Sequence, residues 1–228
     1  SGKSISENIN NVRTLENNVF IGESAGENNS NNESYNVFIG NNSGKNNLRG
    51  YENCFIGKNS GFSNENSNNN VFIGTNSGYD NKGNENVFLG SATGARNKEG
   101  SKNVFIGNRS GQNNKYGDSN VFIGYLSGQN NESTRNSEDG NNNVFLGSFS
   151  GQSNKIGKNN VFIGKDSGRR NIKGNDNVFL GTESGRNNSE GNYNVFLGHQ
   201  TGMNNTSGSR NIFLGYQVGK YNTSGSNN

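Results

Sequence analysis

The chain has 228 residues, with 53 Asn and 35 Gly against no Pro and no Trp, and only 26% of it is hydrophobic. Counted with glycine and without Tyr, the share is about 38%, still below the roughly 45–50% of ordinary soluble domains, and with so much of it glycine, which fills no core, a conventional enzyme with a thick core is excluded. The net charge of +3 from 21 basic and 18 acidic residues indicates neither a nucleic-acid surface nor charge-driven disorder, and no apolar run approaches the ~18 residues of a membrane-spanning helix.

In chain order, residues 1–16 show no regular pattern and are expected to form an irregular lead-in or a partial coil. Ser1-Gly2 matches a Ser-Gly pair that recurs later, and Gly225-Ser226-Asn227-Asn228 matches the approach to a further copy. The first residues lack the apolar stretch of a signal peptide. With no initiator Met, the chain is expected to be a processed piece of something longer. Cys54 is the single cysteine, so no intrachain disulfide is possible.

Residues 17–228 are one repeat array, expected to form a single domain. The string Asn-Val-Phe-Ile-Gly, or a close variant, recurs twelve times around Phe20, Phe38, Phe55, Phe72, Phe88, Phe105, Phe122, Phe145, Phe162, Phe179, Phe196 and Phe213. The period is 17 residues, with one six-residue insertion that makes 129–142 the longest variable segment. Such a period is too short for helical repeats, which need about 33–47 residues.

With Phe as position 0, Asn stands at −2 and +9 and Gly at +2 and +6 in all twelve copies. Val, Cys or Ile occupies −1, and Ile or Leu occupies +1. Ser or Thr fills +5 in ten copies, and a further Gly appears at −5 in nine. Val-Phe-Ile favours a short strand, and the glycines mark corners. Each copy is therefore read as one coil of an all-β, parallel β-solenoid, with two short strands and two turns. Coils stacked at about 4.8 Å place each position in a straight row, so the invariant Asn rows predict side-chain amide ladders.

Alternate strand residues face opposite ways. Either Phe or the flanking aliphatics must then lie outside the coil, as a stripe larger than the few hundred Å² a monomer normally exposes. An obligate oligomer is expected, and the residues alone leave open which face is inside.

At Asn69-Asn70-Val71-Phe72-Ile73-Gly74 and Lys102-Asn103-Val104-Phe105-Ile106-Gly107, the sequence resembles the head repeats of trimeric autotransporter adhesins, the YadA-like family. Similar repeats occur in bacterial surface and phage tail-fibre proteins. The resemblance runs from about Asn17 to Asn222, and it implies a left-handed β-roll with three chains side by side in an adhesive fibre. This chain departs from the family in carrying Phe where the family has Ala, and in its longer period. With that geometry in view, the twelve phenylalanines are expected in the seam between chains, with Val and Ile or Leu filling each coil.

The expected function is a non-enzymatic structural and adhesive segment of a trimeric surface fibre, extracellular, at a cell surface or on a virion. Its expected partners are two further copies of itself and a surface receptor, protein or glycan. No nucleic acid, cofactor, metal or membrane insertion by this segment is expected. The alternatives are a phage tail-fibre shaft and an ice- or small-ligand-binding solenoid, the latter served by an exposed Asn row. His199 is the only histidine and sits at a variable position, which favours a surface polar role. Cys54 replaces a Val and reads as a small core residue. The five aspartates share no row, unlike calcium-binding nonapeptide repeats. Segment 129–142 is read as a tolerated insertion or a projecting loop, loops on a rigid scaffold being where binding concentrates.

Overall fold

A computed structural model describes residues 12–13, 17–30, 34–135 and 138–228 of the chain. Strand β1 is Val12–Arg13. Strands β2 to β13 are Val19–Ile21, Val37–Ile39, Cys54–Ile56, Val71–Ile73, Val87–Leu89, Val104–Ile106, Val121–Ile123, Val144–Leu146, Val161–Ile163, Val178–Leu180, Val195–Leu197 and Ile212–Leu214. All thirteen lie in one sheet in sequence order. From β2 onward every pair is parallel and each residue faces its counterpart one coil away, Phe105 standing opposite Phe88 and Phe122. This is a parallel β-solenoid with one coil per repeat. β1 pairs antiparallel with β2, Val12 opposite Ile21, so part of the lead-in is a strand on the outer edge of the first coil. Ser1-Gly2 lies outside the described residues.

Each coil has one strand instead of the expected two. Two backbone positions account for the difference. The +4 residue has φ between 53° and 60° and the +6 glycine between 55° and 62° in every copy, and left-handed residues break an extended run. Coil-to-coil bonding continues without a strand: Gly111 N–H donates to Ser127 O at 2.9 Å and Asn113 N–H to Gln129 O at 2.8 Å.

The core corrects the seam expectation. Phe20, Phe38, Phe55, Phe72, Phe88, Phe105, Phe122, Phe145, Phe162, Phe179, Phe196 and Phe213 all lie inside the coil of a single chain, ten of them with no exposed surface. Their rings form a continuous stack with centroids 4.7–5.1 Å apart and planes within 13°. Room for the ring comes from the +6 glycine. A Cβ on Gly111 would stand 2.4 Å from the Phe105 ring, so only the bare Cα allows the ring to lie flat on the opposite wall.

The Asn ladders form as expected, and they share a terminus. In the −2 row, Asn103 Nδ2 donates to Asn86 Oδ1 at 3.2 Å and to Gly117 O at 2.9 Å. In the +9 row, Asn114 Nδ2 donates to Asn97 Oδ1 at 2.6 Å and to Gly117 O at 2.8 Å. The carbonyl of the −5 glycine thus accepts from both ladders. A Cβ on Gly117 would meet Asn131 Nδ2 at 2.4 Å, which explains a glycine where φ does not demand one. The +5 hydroxyl completes the lining: Ser110 Oγ donates to Phe122 O one coil on, at 2.9 Å. Apart from Phe and Ala25, the interior is therefore polar and, except at Asn29 and Asn120, bonded, as buried polar groups generally are.

The insertion disturbs this pattern at one point. Gly140 takes a φ of 68° and its carbonyl accepts only from Asn131 Nδ2 among the two ladders. Asn120 Nδ2 and, within the loop, Ser133 Oγ are buried without a partner. The described parts of the loop are held to the rod on both sides, Arg135 to Glu99 at 2.7 Å and Glu138 to Lys158 at 2.9 Å. The Lys158 hydrogen bond lowers the Glu138 carboxyl from its ordinary value and raises the Lys158 ammonium. The pair is thus complete across the neutral range, lost in acid as Glu138 protonates and in strong base as Lys158 deprotonates.

Candidate interaction surface

Because Phe points inward, the pleat turns both of its neighbours outward. The −1 row (Val19, Val37, Cys54, Val71 and onward) and the +1 row (Ile21, Ile39, Ile56, Ile73 and onward) form two parallel files of aliphatic side chains on the strand face. They alternate around the buried Phe as partly exposed, buried, partly exposed. Ile73 is 41% and Ile123 38% exposed in mid-array. The in-register parallel pairing of β2 to β13 keeps the files continuous, so they make a stripe roughly 55 Å long and on the order of 10 Å wide at strand spacing.

No charge interrupts either file. The rows on either side are polar or aromatic: Tyr35, Glu52, Glu85, Lys102 and Tyr193 at −3, and Lys58, Thr75, Asn108, Tyr125 and Lys165 at +3. An apolar centre with a polar rim is the anatomy of a protein–protein interface. Its area, roughly 500 Å² before the rim is counted, matches the largest patches on monomers and approaches the ~800 Å² per partner of a stable complex.

One single residue falls differently from the sequence expectation. Cys54 stands in the outer −1 file, only partly buried, instead of in the core. Its partial burial raises the thiol pKa, which keeps it in the unreactive protonated form. Both invariant Asn rows are inside, so neither of them is an exposed Asn row. His199 is a surface residue whose ring stacks on Tyr216 at 5.6 Å. Among the described residues no cluster of His, Cys, Asp or Glu could hold a metal ion, and no helix is long and apolar enough to cross a membrane.

Sequence reasoning missed the +4 and −3 rows. Every described residue in them has positive φ, including Phe149, Leu126, Glu52 and Tyr193. The signal was present as Asn or Asp at Asn42, Asn59, Asn76, Asp166, Asn69, Asn142, Asn159 and Asp176, the residues that tolerate this conformation best.

Comparison of the chain with models of known protein families, with curated proteins and with solved structures finds no match.

Proposed function

We propose that the chain is a non-enzymatic structural and adhesive segment of an extracellular fibre in which copies of the rod pack side by side on their aliphatic faces. The observation that supports it is the uninterrupted Val and Ile/Leu stripe. The interior of each coil is already filled by Phe and closed by hydrogen bonds, so the stripe is surplus to the fold of one chain. Burying half-exposed Ile and Val in a second interface gains roughly 25 cal/mol for each Å² removed from water, repeated over twelve coils. Side-by-side copies in register would meet identical files, which suits a closed symmetric assembly.

Three chains and a left-handed coil are what the resemblance to YadA-like heads implies, and they form part of the proposal. A rod of this kind holds its variable rows at fixed spacing away from the seam, where they are free to meet a receptor on a cell or other surface.

Light scattering tests the reading. The expected mass is about 74 kDa, three times the 24.6 kDa chain. Replacing Ile106 and Ile123 by Glu is expected to shift the mass to that of one chain, with the far-ultraviolet spectrum unchanged because both side chains are partly exposed. A wild-type mass near 25 kDa, or a charged variant that still associates, would overturn the proposal.

A further inference from the structure

Beyond the strand face, the rod carries a depression of about 430 Å³ on the side formed by rows +4, +7 and +8. Its origin is legible residue by residue. Only the Phe88 coil has alanine at both +4 and +7, Ala92 and Ala95, where the coils on either side carry Asn76 with Tyr79 and Arg109 with Gln112. Two truncated side chains in one coil leave a notch between longer neighbours. A volume of this size falls within the ≈ 300–1,000 Å³ range of small-ligand sites.

One wall is aromatic. Tyr79 is stacked on Phe62 with centroids 5.0 Å apart and planes within 2°, so its ring is held as a flat platform at the edge of the notch. The remaining walls are polar groups with bonding capacity to spare. Asp80 and Arg96 occupy the same row one coil apart, yet neither makes an ion pair or side-chain hydrogen bond with any described residue. Comparable charges elsewhere do pair, Lys82 with Glu65 and Arg169 with Asp166. Asn76 Oδ1 accepts from Asn59 and Gln112 Oε1 from Gln129, and the amide NH₂ groups of Asn76 and Gln112, both lining the notch, donate to no described residue.

We propose that this notch binds a neutral saccharide. An aromatic face takes the C–H face of a pyranose, and a carboxylate, a guanidinium and two amides supply the acceptors and paired donors that adjacent hydroxyls require. The single acid and single base cancel, which disfavours a charged ligand. A shallow open site gives weak affinity per chain, and repetition of the site on associated chains raises it through avidity. As the receptor class of an adhesive segment, the proposal rests on the function proposed above. The two fail separately, because light scattering reads association and ligand binding reads the notch.

The test uses the full chain on a printed array of neutral, sialylated and sulfated oligosaccharides, followed by titration of the best neutral binder monitored by tyrosine fluorescence. The decisive variant is Ala92→Asn with Ala95→Gln, which fills the notch with the side chains that neighbouring coils carry at these rows. It should fold at least as well as the parent, since Asn accepts the φ of 53° at position 92 better than Ala. Neutral-glycan binding that falls about tenfold or more in the filled variant and in Tyr79→Ala is the expected result. Absence of any neutral binder, binding confined to sialylated or sulfated glycans, or binding unchanged in the filled variant would each overturn the proposal.

Discussion

Phe105→Ala is expected to destabilise the array by about 3–5 kcal/mol, the range for emptying a buried aromatic site. The ring has no exposed surface and stacks on Phe88 and Phe122 at 4.8 Å on each side, so its loss interrupts two aromatic contacts as well as leaving a void. The walls cannot close on that void. Gly111, opposite, has no side chain to lean inward, and the coil spacing is set by strand β7 and its neighbours. Because each coil of a solenoid is stabilised by its neighbours, the damage should appear as weakened coupling between the two halves. Chemical denaturation is then expected to show a lower midpoint and a broadened or split transition. Ile106→Ala, one residue along and on the outer face, should cost a single chain far less. Equal costs for the two would mean that the inward and outward assignments are wrong.

That contrast marks how far the sequence was legible. Period, coil number, strand position and the two Asn ladders all follow from rows that hold one residue type twelve times. The direction of the pleat does not. Val-Phe-Ile alternates whichever way it faces, and it was the resemblance to YadA-like heads, in which chains lie side by side, that put Phe in the seam. What decides it is the +6 glycine, whose bare Cα is the wall against which Phe lies. Its invariance was read as a turn requirement, and the φ near 57° is real, but the contact with the ring is a second and independent reason for the same residue. The candidate surface was therefore half legible: an external apolar stripe was required by composition, and its identity was inverted. The notch at Ala92 and Ala95 was open to notice in the sequence, since the chain has three alanines and two are in one coil. Its meaning needed the neighbouring rows in three dimensions, because the residues that line it are about 17 and 34 positions apart along a period-17 array.

The inversion also changes what the proposed association would be for. Had Phe been outside, each coil would hold only Val and Ile or Leu, and the stripe of twelve exposed rings would have to be buried against partner chains. With Phe inside, the single chain has a largely closed and hydrogen-bonded interior, and the Val and Ile/Leu files are the surface on which the proposed assembly would form. Variants of the stripe should accordingly separate association from folding, whereas variants of the interior should affect both.

Asn103→Asp is expected to have a large effect for an isosteric change. Asn103 Nδ2 donates to Asn86 Oδ1 and to Gly117 O, and its Oδ1 accepts from Asn120 N–H at 2.9 Å. Replacing the amide NH₂ by a carboxylate oxygen sets that oxygen against two acceptors, with no water to relieve it in a fully buried row. The cost is that of an uncompensated buried charge, roughly 3–5 kcal/mol at neutral pH. Burial and acceptor neighbours both disfavour the ionised form, so the folded-state pKa of the new carboxyl lies above its unfolded value near 3.9. Stability is then greatest below about pH 4 and falls as pH rises toward the folded-state pKa. A protonated carboxyl restores one of the two lost donors, to Gly117 O or to Asn86 Oδ1, so recovery in acid should be incomplete. Denaturation midpoints measured from about pH 3 to 8 check the sign, with Asn108→Asp on the variable +3 row as the control. A flat profile for Asn103→Asp, or one that parallels the control, would show that the ladder does not carry the interior. The parent chain has no buried carboxylate in either ladder, so it should show no comparable loss toward neutral pH, and the difference between the two profiles isolates the contribution of a single rung.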